Sequence, residues 1–278
     1  MSTTVTISAA DVNKLRQTTG AGMMDCKKAL TEANGDFEAA IDILRKKGQK
    51  VAANRADRDA KEGYIAARTN AEGTKGYLVS VSSETDFVAK NQDFVNFVEG
   101  ILNAAVKADA KTVEEINTQP LDGVTVADKV MDMVGKIGEK IEITRYEVIE
   151  APKVVIYVHP GNKVVSMVGM SSATAPTEAG KDVAMQIAAM NPVAIDKDDV
   201  DAKTLEREIE IGKDQARAEG KPEEMIEKIA MGKLNKFYQE STLLNQSFIK
   251  EDKKTIRQYL DETEKGLTIK VFKRVQIG

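Results

Sequence analysis

The side chains that most often carry nucleophilic or metal chemistry are scarce in this sequence: one cysteine, Cys26, and one histidine, His159. A thiol–imidazole pair must meet in space to work, yet these two fall in different segments and nothing in the pattern joins them. Cys26 lies in a helix-forming stretch and reads as a small packed hydrophobe. His159 ends an apolar run just before Pro160 and reads as a hydrogen-bonded turn residue. A metal centre needs several convergent ligands, which these two cannot supply, so no metal is expected. Phosphate chemistry lacks its parts as well. Gly20-Ala21-Gly22 has no third glycine at the dinucleotide spacing, and no glycine loop is followed by Lys-Ser or Lys-Thr. The expectation is a protein that is not an enzyme, needs no cofactor and neither retains nor hydrolyses a nucleotide.

A binding role is another matter. Ser83-Glu84-Thr85-Asp86-Phe87-Val88-Ala89-Lys90-Asn91 lies between an alternating apolar run and a Phe-rich helical stretch, where the chain must turn. One reading is helix capping, with Thr85 or Asp86 as the cap and Phe87 tucked beneath the next helix. The other is an interface wedge, since an acid beside an exposed aromatic on a loop suits a protein partner.

The elements around these residues follow from periodicity. Ser8 and Asp11 have capping-box spacing, and Val12, Leu15 and Thr19 then share a helical face. Gly20-Ala21-Gly22 breaks that helix. A second carries Met23, Met24, Lys27 and Leu30. Asp36 caps a third, striped by Phe37, Ala40, Ile41 and Leu44 and closed by Gly48. The charged run 54–62 reads as a solvated linker. Strands are expected over 64–69 and 76–83, a strong helix from Asp93 with Phe94, Phe97, Val98, Ile101, Leu102 and Ala105 on one face, a helix over 126–137 and a strand over 141–150. The pattern then recurs: strands over 154–159 and 164–171, and a helix over 182–190. Setting Ser82-Ser83 on Ser171-Ser172 places Thr85 on Thr174 and Asp93 on Asp182, which points to a duplicated half-domain. Leu205, Ile209, Gly212 and Ala216 form one later stripe, and Ile226, Ile229, Ala230, Leu234 and Phe237 a second. With Gly220-Lys221-Pro222 between them they predict an antiparallel helical hairpin. A last strand over 267–275 should return to the second half's sheet. The fold class is therefore α+β: a three-helix docking domain at 1–53, a first core half at 54–150 and a second at 151–278, the hairpin inserted at about 204–250.

Hydrophobic residues make up 42% of the 278 positions and charged residues 30%, with a net charge of −4. Both charge signs are scattered, unlike the concentrated basic face of a nucleic-acid binder, so the partner is expected to be a protein and not RNA or DNA. A lone cysteine, no apolar run near the ~18 residues of a membrane span and no basic-then-apolar leader place the chain in the cytoplasm.

Two motifs carry a resemblance. Leu15 to Leu30, with Thr18-Thr19-Gly20-Ala21-Gly22-Met23-Met24-Asp25-Cys26-Lys27-Lys28 at its centre, runs on into Asn34-Gly35-Asp36-Phe37. It is similar to the N-terminal ubiquitin-associated-like bundle of the elongation factor Ts family. Thr85-Asp86-Phe87-Val88-Ala89-Lys90-Asn91 resembles that family's second signature, and the likeness spans essentially the whole chain. The resemblance implies a guanine nucleotide exchange factor that binds elongation factor Tu, GDP-bound or nucleotide-free, during translation. It implies that Gly20, Ala21, Gly22, Met23, Met24 and Lys27 dock on the partner's nucleotide-binding domain. It further implies that Thr85, Asp86, Phe87 and Val88 act near the partner's magnesium, and that Met185 and Gln186 contact the partner from the second half. Gln186 stands where some relatives have a histidine, and their helical C-terminal module has no counterpart before Gly278. The rival expectation is a ubiquitin-like-binding or chaperone-type adaptor, which the N-terminal bundle alone would allow but which leaves the Thr-Asp-Phe-Val element unexplained.

Overall fold

A computed structural model describes residues 6–278. The chain forms two compact units: one takes the sequence up to Ala67, Tyr77–Glu147 and Gln276–Gly278, the other Arg68–Gly76 and Val148–Val275. In chain order the elements begin with α1 (Ala9–Thr19), α2 (Met23–Glu32), α3 (Phe37–Asn54), β1 (Glu62–Thr69) and β2 (Lys75–Ser83). Next come α4 (Asp86–Ala89), α5 (Gln92–Ala108), α6 (Val113–Asn117), β3 (Pro120–Leu121), β4 (Val124–Thr125), α7 (Val126–Ile137) and β5 (Glu142–Glu150). Then follow β6 (Lys153–Val158), β7 (Val164–Met170), α8 (Thr177–Met190), α9 (Ala202–Ala218), α10 (Glu223–Ser241), β8 (Ser247–Phe248), β9 (Glu251–Thr255), α11 (Ile256–Thr263) and β10 (Ile269–Gln276). The fold is α+β, with helices laid on small sheets.

Local chemistry starts and stops the first three helices. Ser8 and Asp11 form the capping box of α1, and Gly20, at φ 69°, ends it in the left-handed region. Asp36 accepts the Ala39 amide and starts α3. Val12, Leu15, Cys26, Ala29, Leu30 and Ala40 close into a small core. The expected end of α3 is corrected: Gly48 lies inside the helix, which continues to Asn54. A Cβ on Gly48 would stand 2.5 Å from the Met131 carbonyl oxygen of α7, and one on Gly135 would stand 3.3 Å from the Gly48 Cα. Glycine here lets two helix backbones touch. In sequence the same residue looks like a stop signal.

Each unit carries a sheet of one design. The strand orders are β1-β2-β5 and β10-β7-β6, so in both the returning strand lies beside the second strand of the leading pair. Strands β6 and β7 are antiparallel, from Lys153 opposite Met170 to Val158 opposite Val165. The last strand returns to this sheet as expected. Every residue of the predicted α5 stripe is buried.

Helix α8 starts at Thr177 and not at the expected Asp182. Pro176 holds its N-cap position at φ −58°, and Gly180 lets the helix settle on β6, since a Cβ there would meet Val155 Cγ2 at 2.5 Å. Proline and glycine dilute the helical signal in sequence while tightening the structure. Around α8 pack Val168, Met170, Leu243, Phe248, Leu260 and Ile269. Helices α9 and α10 meet where Gly212 faces Ala230, a Cβ on the glycine falling 3.2 Å from the Ala230 Cα, and Ala216, Ile226 and Leu234 are buried beside it. Two pieces escaped the sequence reading. The β3–β4 turn uses Asp122 and Gly123, both at positive φ, but strands of two residues carry no alternation to read. Helix α11 opens with a Thr255–Gln258 capping box.

Candidate functional site

Strand β2 delivers the chain to Thr85, whose extended backbone and side chain cap α4, with Oγ1 accepting the Val88 amide at 3.4 Å. Asp86 opens α4 and receives Lys90 Nζ at 2.6 Å. That bond holds the Asp86 carboxyl below its ordinary value, though the pair is open to water and adds little stability. Asn91 then caps α5 by accepting the Asp93 amide at 2.8 Å. Two caps so close in sequence force a break between the helices, and α4 becomes a single detached turn. Ala89 faces inward while Phe87 faces out. Phe87 is 83% exposed, so of the two readings of this stretch the capping one holds for Thr85 and fails for Phe87. Leaving this ring in water forgoes about 2 kcal/mol of burial.

The turn stands on a polar mount. Glu139 accepts the Glu84 amide at 3.1 Å and the Thr85 amide at 3.0 Å on Oε2, and the Thr85 hydroxyl at 2.7 Å on Oε1. Glu84 in turn accepts Arg55 Nη1 at 2.9 and 2.7 Å and the Lys140 amide at 2.6 Å. Burial pushes the Glu84 carboxyl up, but the Lys140 amide and the Arg55 guanidinium outweigh it and hold the group below its ordinary value. Lys140 Nζ also donates to the Ala56 carbonyl at 3.0 Å. The run expected to be a solvated linker therefore begins with residues fixed to this mount. None of Arg55, Glu139 or Lys140 drew notice in the sequence. Their partners lie far along the chain, and a lone Glu or Arg in a charged stretch carries no local signal.

The N-terminal candidates gather at one turn. Gly20 and Ala21 are half-buried, Gly22 occupies the N-cap position of α2, and Met23, Met24 and Lys27 are exposed on its first turns. Met23 is 52% exposed and Met24 64%, an apolar pair beside a cation. Cys26 points the other way. Its buried thiol lies 3.6 Å from the Ala21 carbonyl, and burial pushes it up from its ordinary value, so it is no ready nucleophile. His159 is exposed, with Nδ1 3.1 Å from the Tyr157 hydroxyl. Among the described residues no group of His, Cys, Asp and Glu could hold a metal ion, and no helix is long and apolar enough to cross a membrane.

The second-half candidates fare differently. Met185 is half-buried, whereas Gln186 is fully buried. Its amide nitrogen donates to Gln246 Oε1 and to the Ser247 carbonyl, both at 3.1 Å, and its oxygen accepts the Ile249 amide at 2.9 Å. A side chain so spent presents no surface to a partner. Gln186 ties the β8 segment to α8, and its expected contact is corrected on that ground. Nearby, Asp182 is buried between Lys250 and the Tyr259 hydroxyl.

Comparison with known proteins converges on a single group. The family model described as Elongation factor TS matches residues 84–278. Elongation factor Ts of Cytophaga hutchinsonii is 57% identical over 276 residues, covering 98% of this chain and 99% of that one. The proteins of the same name from Amoebophilus asiaticus and Christiangramia forsetii are 51% and 50% identical, each likewise covering 98% of this chain and 99% of its own length. On full-length likeness and on a family match that begins at the Glu84 mount, this chain belongs to the elongation factor Ts family.

Proposed function

We propose that this chain is a translation factor without enzymatic activity of its own, which binds elongation factor Tu in the cytoplasm and speeds its release of GDP. The observation that carries the reading is Phe87, 83% exposed on a turn that two carboxylates hold in place. GDP in such a GTPase is gripped by a phosphate cradle and by Mg²⁺. An exchange factor need only fit the emptied or distorted pocket better than the filled one; factor and nucleotide then weaken each other by equal amounts. Phe87 acts as the wedge. It holds a shifted element of the partner that no longer supports the metal, and octahedral Mg²⁺ tolerates such distortion poorly. Asp86 stands beside it, its charge partly countered by Lys90. The N-terminal bundle, of ubiquitin-associated-like type, docks on the nucleotide-binding domain through Met23, Met24 and Lys27. The duplicated core reaches the partner's other domains, and α9 with α10 forms a short coiled-coil arm. GTP rebinding closes the pocket and expels the factor.

The test is stopped-flow release of a fluorescent GDP from elongation factor Tu at saturating factor. Wild-type chain should accelerate release. Phe87→Ala should slow the saturated rate while costing on the order of 2 kcal/mol in the complex, and chelating Mg²⁺ should shrink the variant's deficit. A saturated rate equal to wild type would reduce Phe87 to an affinity contact. No acceleration by the wild-type chain would end the exchange reading itself.

A further inference from the structure

We infer that Glu139 is a positioning residue for the Phe87 wedge: its carboxylate fixes the proton of Thr85 and the direction in which Asp86 and Phe87 leave the sheet. The inference rests on the exchange reading and adds to it a residue whose bonds go to Glu84 and Thr85. Helix α4 has only four residues, too few to hold its own shape. It depends on its cap. The Thr85 hydroxyl has one proton to give. Glu139 Oε1 takes it at 2.7 Å, which leaves the oxygen's lone pairs to accept the Val88 amide. Without Glu139 the hydroxyl is free to rotate, and its proton can compete for the direction of the capped amide. Glu139 Oε2 meanwhile takes the amides of Glu84 and Thr85, two donors that the end of a strand leaves open. The tie is reciprocal. Glu139 reaches from one segment to Glu84 and Thr85, and Glu84 reaches back to the Lys140 amide and to Arg55. Gly138, at φ 80°, ends α7 and aims the chain so that Glu139 meets the turn.

Bonds to a charged acceptor are the stronger kind, so Glu139→Ala should lower the saturated rate of GDP release about tenfold and, because three donors lose their acceptor, should also lower the thermal unfolding midpoint. Glu139→Gln keeps one accepting oxygen and should recover part of the rate. The deciding measurement is made in the Phe87→Ala background. A residue that works only by aiming Phe87 has nothing left to aim, so Glu139→Ala should there cost nothing further. Should Glu139→Ala fail to fold, Glu139→Gln carries the test: a loss with Phe87 present and none without it supports the inference. An undiminished Glu139→Ala rate overturns it, and so does a loss that multiplies in full on top of Phe87→Ala. Both outcomes leave the exchange reading standing, since that reading fails only if the wild-type chain does not accelerate release.

Discussion

The same stretch of the repeat is built twice and finished differently. Setting Ser82-Ser83 on Ser171-Ser172 puts Thr85, Asp86 and Phe87 on Thr174, Ala175 and Pro176. In the second half Ala175 is buried, Pro176 leads straight into α8 and the helix runs unbroken to Met190. In the first half the helix is interrupted: α4 stops at Ala89, Asn91 starts α5 afresh, and Phe87 is left in solvent. Position by position, Asn91 answers to Gly180. One is a cap that breaks a helix, the other a gap that lets a helix lie flat on its sheet. The repeated pattern thus yields one half whose helix packs unbroken and one half whose broken helix leaves Phe87 in solvent.

The contrast can be broken most forcefully at Gly180. Gly180→Ala must displace Val155 or Met170, whose sulfur would lie 3.0 Å from the new Cβ, and should destabilise the protein by on the order of 2 kcal/mol. A melt of the purified variant reads this; an unchanged midpoint would show that α8 does not need its close approach. Its counterpart is gentler. Asn91→Ala removes a cap and should cost about 1 kcal/mol while slowing exchange, because α4 and α5 lose their fixed angle. Equal stability losses at the two positions would erase the contrast.

Smaller effects sharpen it. Cys26→Ser should leave GDP release within about a few-fold of wild type, since the thiol packs and does not react; a loss of orders of magnitude in a folded variant would restore it as a chemical group. The smallest effect is one of pH. Glu84 titrates below its ordinary value of 4.5 when folded. Its contribution is therefore whole above that value and fades as the pH falls through the folded one. Glu84→Gln lacks the contribution at every pH, so the stability gap between variant and wild type should be present at neutral pH and narrow below about pH 4. A gap constant across an acid titration would mean that the mount does not depend on the Glu84 charge.

What could be read in the sequence was whatever acts over a few residues. The Ser8–Asp11 box, the Asp36 cap, the α5 stripe and the bounds of α7 all appear where spacing put them. Glycine misled because its two uses look alike in one dimension. At Gly20 it ends a helix; at Gly48 and Gly180 it admits a neighbour. Phe87 was legible as a residue to notice, but the choice between tucked and exposed was not, since capping and presentation share the same letters. Glu139 was not legible at all. Its importance lies in three bonds to a segment far away in the chain, and no local pattern encodes a partner at that distance. Gln186 shows the reverse error: a position marked by family likeness that here holds the interior together.

The contact of Gly48 with Met131 and Gly135 bears on how such proteins can be recombined. A chimera that takes its first helices from one relative and its core from another, spliced in the charged run after α3, would pair a foreign α3 with a native α7. A side chain larger than hydrogen at Gly48 would then jam the crossing, and one at Gly135 would press on it. The part that must travel as a piece is therefore not the run of helices that comes first in the sequence but those helices together with α7, and a splice between α3 and α7 divides it.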